Sequence, residues 1–364
     1  MMDYDKYVAL LRRMVGIPAV TGDEGKVADL LEGFLREEGV ACRRVRNNVL
    51  ALGGAYDPAK KTLALDAHLD TVAPAAGYTR DPFDAGDDPE RIWGLGSNDD
   101  GGSVVSMTAA FCHFYGRELP VNLMLVLTCE EERSGANGAA FLYDEGGYFA
   151  SQAEFPYPDW VLVGEPTGMR AAVCERGLLV LDGEARGVSG HAAREEGVNA
   201  LYLALDDIAR LRAHRFERRS PLMGDVKLSV TQIAAGTAHN VVPDRCSFVV
   251  DIRPTEQYTN AEILEELQAL CGSTLTPRSL ANRSSAAAPG SALRAAAEAL
   301  GIETYASPTT SDWMRIRCDA LKMGPGESAR SHRADEYLLV SEIREAVPKY
   351  IAMIERIAYG NTVE

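Results

Sequence analysis

Five segments of this chain carry side chains that bind metals or move protons. LALDAHLDTV (63–72) ends an apolar run with Asp66, His68 and Asp70 inside five residues. GLGSNDDGG (94–102) sets Asp99 and Asp100 at the start of a helical stretch, and CEEERSG (129–135) lines up Glu130, Glu131 and Glu132. VGEPT (163–167) carries Glu165, and GPGESARSHRADEY (324–337) supplies His332. Each has an ordinary reading alone: a structural histidine, a solvated acidic turn, a surface histidine. Together they do not, because acids gathered at one sheet edge repel one another unless cations neutralise them. Asp99, Glu132, Glu165 and a hydroxide sum to four negative charges, which two divalent ions balance and one does not. Two histidines with carboxylates form a mixed nitrogen–oxygen set suited to zinc, with cobalt or manganese as substitutes. Paired ions about 3.5–4 Å apart are a hydrolytic arrangement.

Strand ends must hold these groups. The first 170 residues alternate helical patterns (3–15, 22–38, 101–116) with apolar runs (48–52, 62–67, 121–128, 160–164). That alternation predicts an α/β fold with a mostly parallel sheet covered by helices on both faces. Ligands of such sheets bind beyond the carboxyl ends of the strands. Three of the runs end there in His68 and Asp70, in Glu130–Glu132 and in Glu165. Near 172 the pattern changes. AVCERGLLVLDGEARG (172–187), VKLSVTQIAAG (226–236) and DRCSFVVDIRP (244–254) alternate like antiparallel strands, with helices at 197–212 and 260–271. The expected organisation is a small α+β domain, 172–283, inserted into a catalytic domain formed by 1–171 and 284–364. The second part of that domain holds a helix at 292–300, a strand at 318–323 and a helix at 340–358.

Bulk properties narrow the function. A net charge of −16 argues against nucleic acid and against an anionic membrane surface. No stretch approaches the roughly 20 apolar residues of a membrane span. The seven cysteines are scattered singly, which reads as reduced thiols in a cytoplasm.

The five segments, in this order and across most of the chain, resemble the two-zinc aminoacylase, acetylornithine deacetylase and carboxypeptidase family. GEPT (164–167), NVVPDRCSFVVDIRP (240–254) and SHRADEY (331–337) bring the resemblance nearest to acetylornithine deacetylase. It implies a zinc-peptidase-like catalytic domain whose inserted lid also forms a homodimer. It implies that His68 and Glu165 hold one zinc, His332 and Glu132 the other, and that Asp99 bridges both. Asp70 would orient the His68 ring, while Glu131, within the run Glu130–Glu132, would be the general base. A non-proline cis peptide is implied at Asp99–Asp100. GVSGHAA (187–193) matches a segment whose histidine, here His191, reaches a partner's active site to stabilise the oxyanion. Asn240 and Arg253 match substrate-anchoring positions, with a salt bridge inside the lid as the other reading of Arg253. Gly101-Gly102 departs from the Lys-Gly the family often has after its paired aspartates.

The resulting expectation is a cytoplasmic dinuclear-zinc amidohydrolase removing an acyl group from an N-acyl-L-amino acid. N-acetyl- or N-succinyl-ornithine or citrulline comes first, which would place the chain in arginine biosynthesis. The alternatives are a dipeptidase or carboxypeptidase, or a succinyl-diaminopimelate desuccinylase, with the same metal chemistry. An inactive binding relative would have lost the base or a ligand, and this sequence keeps both. A nicotinamide-dependent oxidoreductase would rest on the glycine-rich loop alone, and its third glycine is missing.

Overall fold

The computed structural model describes residues 2–194 and 196–360. Its first compact unit comprises Met1–Val173, Ala286–Tyr305 and Ser311–Glu364. Four parallel strands form the centre of its sheet, in the order Asn122–Thr128, Thr62–His68, Trp160–Val163, Asp319–Lys322. Their runs are mostly apolar because both faces are covered: every residue of the first two is buried. Asn48–Leu52 and Cys42–Val45 extend the Asn122–Thr128 side antiparallel.

The helix Gly102–Phe114 packs against the strands, the final helix Val340–Tyr359 and the first helix, Asp5–Val15. It is therefore apolar on nearly all sides. Asp5–Val15 and Gly25–Glu37 are amphipathic and bury one stripe each, the first with Tyr7, Leu10, Leu11 and Met14. Just beyond the third strand, a Cβ on Gly164 would lie 2.6 Å from Ser103 Cβ and 2.9 Å from Asp100 Oδ2. Only glycine lets the chain pass this close before Glu165.

The second unit, Cys174–Ser285, also includes the short segment Ala306–Thr310. Its antiparallel sheet runs Lys227–Ala235, Arg245–Arg253, Leu179–Arg186, Thr274–Pro277. Leu179–Arg186 alternates buried with less buried residues along most of its length. Leu181, Phe248, Val250 and Ile252 share a core with Ala204 and Leu211 of helix Ala200–Ala213 and Ile263 and Leu267 of helix Asn260–Leu270. Thr259 and Glu262 cap the latter helix reciprocally. Lys227–Ala235 is an edge strand, exposed along most of its length.

The single strand expected over 172–187 is two, Ala171–Glu175 and Leu179–Arg186. Between them the buried Arg176 guanidinium donates to the carbonyls of Asp225 (2.9 Å) and Arg253 (3.2 Å). Among the described residues no helix is long and apolar enough to cross a membrane.

Candidate metal centre

The first unit brings the distant ligand-capable groups together beyond the strand ends. Two overlapping sets, His68–Asp99–Glu165 and Asp99–Glu132–His332, each place one potential ligand atom per residue within 4.8 Å of the others. Asp99 belongs to both. Its Oδ1 lies 3.2 Å from His68 Nε2, and its Oδ2 lies 3.6 Å from His332 Nε2. His332 Nε2 also sits 3.0 Å from Glu132 Oε2. One carboxylate thus turns an oxygen toward each histidine.

The supports are local and specific. His68 Nδ1 lies 3.0 Å from the Asp70 carbonyl oxygen, which leaves Nε2 facing the cluster, while the Asp70 carboxylate is 3.6 Å away. That carboxylate accepts from Thr21 Oγ1 (2.7 Å) and from the amides of Glu131 (2.9 Å) and Glu132 (3.1 Å). Asp70 therefore fixes the glutamate turn as well as the ring. Glu130 has a left-handed backbone, φ 59°, and accepts from the Asn137 amide (2.9 Å) and side chain (2.6 Å). Its carboxylate is committed to that turn. The Asp99–Asp100 peptide is cis. Asp66 is fully buried, and Tyr143 donates to it at 2.7 Å.

Electrostatics test whether these residues fit cations. Burial pushes the Glu131 and Glu165 carboxyls well above the usual range, and neighbouring carboxylates push the same way. Burial raises Glu132 too, against the pull of its His332 contact. Burial alone would lower His68, but Asp70 and Asp99 outweigh it and hold the imidazole well above its ordinary value. Asp99 is conversely held low, because His68 overcomes the cost of its burial. The Glu132 contact, foremost, lifts His332 to about 9. Acids that raise one another's pKa mark a deficit of positive charge, and divalent cations relieve such a deficit. The donor set fits them.

Of the other residues singled out in the sequence, His191, Asn240 and Arg253 lie in the second unit. His191 is exposed and pairs with Val241 across a two-residue ladder; its Nδ1 accepts the Ala193 amide at 3.2 Å. The Asn240 carbonyl accepts the Ala192 amide at 3.1 Å. Arg253 donates through Nε (2.9 Å) and Nη2 (3.1 Å) to the two oxygens of Asp251, a salt bridge within the second unit. Sequence reasoning passed over Glu336, and placed Asp312 only as part of a loop, 306–313, beside the pocket. Asp312, buried, accepts from Thr128 at 2.6 Å beside the His68 strand end. Glu336 was legible only as an acid inside SHRADEY.

A parallel α/β sheet whose strand ends gather two histidines around a shared aspartate defines the class of metal-dependent hydrolases of linear amides. The sequence matches the profile of peptidase family M20/M25/M40 over residues 64–356, and the chain belongs to that family. A succinyl-diaminopimelate desuccinylase of Cereibacter sphaeroides is 30% identical, with 92% of this chain and 94% of that protein covered. A tripeptidase structure from Staphylococcus aureus superposes with a TM-score of 0.78 at 18% identity, covering 98% and 99% of the two chains. A dinuclear metal-binding M20 peptidase from Bacillus subtilis gives 0.69 at 15%, covering 96% and 97%. Those identities carry the fold alone. The expected family, α/β fold and amide-hydrolase class hold. The expected emphasis on acetylornithine deacetylase shifts, because the 30%-identical relative is a desuccinylase, the alternative reading. Placement in arginine biosynthesis draws no support from it.

Proposed function

We propose that this chain is a dinuclear-zinc amidohydrolase that removes the succinyl group from an N-succinyl amino acid, N-succinyl-diaminopimelate foremost. The observation that carries the chemistry is Asp99, shared by two ligand sets with one oxygen toward each histidine. The acyl group and amino acid are supported by the desuccinylase relative, which aligns over nearly its whole length.

His68, Asp99 and Glu165 would hold one cation, and Glu132 and His332 with Asp99 would hold the other. When bound, the pair supplies Lewis acidity to the scissile carbonyl and acidifies a water. Glu131 takes the proton of the attacking water and delivers it to the departing amine nitrogen as the C–N bond breaks. Asp70 holds Glu131 and Glu132 through their amides. His191 of a second copy steadies the oxyanion. Asn240 and Arg253 are the proposed anchors of a substrate carboxylate, and Nε and Nη2 of Arg253 each already donate to Asp251.

The test is amine release by zinc-loaded protein from N-succinyl-diaminopimelate, N-succinyl- and N-acetyl-ornithine, N-acetylcitrulline and several dipeptides. A sharp preference for the first is expected. Faster release from an ornithine derivative would restore the deacetylase-like reading, cleavage of dipeptides alone would move the chain to the peptidases, and silence across the panel would overturn the enzyme reading.

A further inference from the structure

Glu336 lies four residues past His332, yet its contacts are with the loop that carries Asp99. Tyr337–Leu339 pairs antiparallel with Arg91–Trp93, so that Tyr337 faces Trp93. The ladder runs on one step in the backbone, where the Glu336 carbonyl accepts the Gly94 amide at 2.8 Å. It then continues through the side chain. Glu336 Oε1 accepts the amide of Asn98 at 2.9 Å and that of Asp99 at 3.0 Å. The residue is only 2% exposed, so that oxygen lies away from bulk solvent. Asn98 returns the connection: its Oδ1 accepts the Glu327 amide (2.9 Å), and its Nδ2 donates to the Glu327 carbonyl (3.1 Å) and Ser331 Oγ (3.2 Å). Gly326 leaves room for this, since a Cβ there would lie 2.3 Å from Asn98 Oδ1, and its φ of 82° suits glycine.

We infer that Glu336 is a positioning residue for the metal centre: its Oε1 clamps the Asn98 and Asp99 amides and thereby sets the bridging carboxylate relative to His332, a few residues upstream on Glu336's own segment. The inference rests on the reading of Asp99 and His332 as metal ligands. Asp99 serves both sets, so a loop released at its amides loosens both. A catalytic role does not follow, because Glu336 touches backbone and not the reacting atoms.

Chain length and charge separate in two conservative variants. Glu336→Gln keeps an oxygen at the same reach and removes the charge; Glu336→Asp keeps the charge and withdraws the oxygen by one methylene. Zinc affinity of the metal-stripped protein is measured by titration against a competing chelator, with the apo-protein melting temperature as a fold control. Glu336→Gln is expected to bind zinc within about threefold of the parent, and Glu336→Asp and Glu336→Ala about tenfold to a hundredfold more weakly. A merely structural residue would move the apo melting temperature in step with zinc affinity. Parent-like affinity in the Asp variant, or a Gln variant as weak as Asp, overturns the inference. A parent protein that takes up no zinc, or an Asp99→Ala variant that binds it undiminished, brings down the metal-ligand reading itself. Two zincs in the parent with neutral Glu336 variants bring down this inference alone.

Discussion

Asp70 accepts from Thr21, Glu131 and Glu132 through its carboxylate, while its carbonyl oxygen meets the His68 ring. One buried acid thereby aligns a metal-ligand candidate on one strand end and the glutamate turn on the next. The same turn separates three consecutive glutamates. Glu130 is turned by its left-handed backbone onto Asn137, whereas the charge on Glu131 is felt by His68, Glu165, Asp312 and Glu132. A general base contributes on the order of 10²–10⁴ to turnover. Glu131→Gln is therefore expected to lower kcat by about that factor with zinc content unchanged by atomic absorption, and Glu130→Gln to leave kcat within a few-fold. The reverse pattern would assign the base to Glu130.

Elements are held by polar contacts of the same kind, and some of them titrate. In the second unit the buried Asp207, on helix Ala200–Ala213, accepts from the Gly272 amide (3.1 Å) and from the Ser273 amide (2.7 Å) and hydroxyl (2.6 Å). It ties the helix to the segment that leads into strand Thr274–Pro277. Burial pushes its carboxyl up, but the Ser273 contacts and the Gly272 amide outweigh burial and hold it below the usual value. A depressed folded pKa contributes stability above the unfolded value, about 3.9, and that contribution fades as pH falls from there through the lower folded value. Thermal melts between pH 6 and pH 2 are expected to show this acid loss in the parent and a flatter profile in Asp207→Asn. Equal slopes would show that Asp207 titrates alike in both states.

At the scale of the whole molecule, the second unit offers an edge strand, Lys227–Ala235, whose outer side pairs with no strand among the described residues, and apolar side chains to solvent: Tyr202 is 65% exposed, Leu205 47% and Ile233 47%. Long exposed edges invite a second chain, and these features support the proposed homodimer, with His191 of each copy serving the other. Complementation reads this directly. His191→Ala and Glu131→Gln proteins, each inactive, are expected to recover turnover when unfolded and refolded together, because a mixed pair holds one site with both residues intact. No recovery, or a fully active monomer in sedimentation, would remove the cross-copy role of His191. Ile233→Lys is expected to shift the parent toward monomer in the same sedimentation experiment.

Much of the first unit was legible in the sequence, since burial on both faces of a parallel sheet demands continuous apolar runs. Thr62–His68, Asn122–Thr128 and Trp160–Val163 stand within a residue or so of where those runs fall. The antiparallel strands of the second unit showed in the same way, through alternation along Leu179–Arg186 and Arg245–Arg253. Short pieces such as Arg91–Trp93 and Tyr337–Leu339 carry too few residues for any period, and they exist because they pair with each other. Residue type and strand-end position nominated His68, Asp70, the run Glu130–Glu132 and Glu165, because few side chains bind metal and a sheet has one carboxyl edge; the choice of Asp99, Glu132 and His332 as ligands came from the family resemblance. Which hydrogen bonds hold them was decided only in three dimensions. The Asp70 contacts to Glu131 and Glu132, the Tyr143–Asp66 bond and the Glu336 clamp each join residues more than sixty positions apart. A hydrogen bond depends on the position of one oxygen to within a few tenths of an ångström. Hydrophobic period fixes which face a residue takes, and only the packed chain fixes where its oxygen lies.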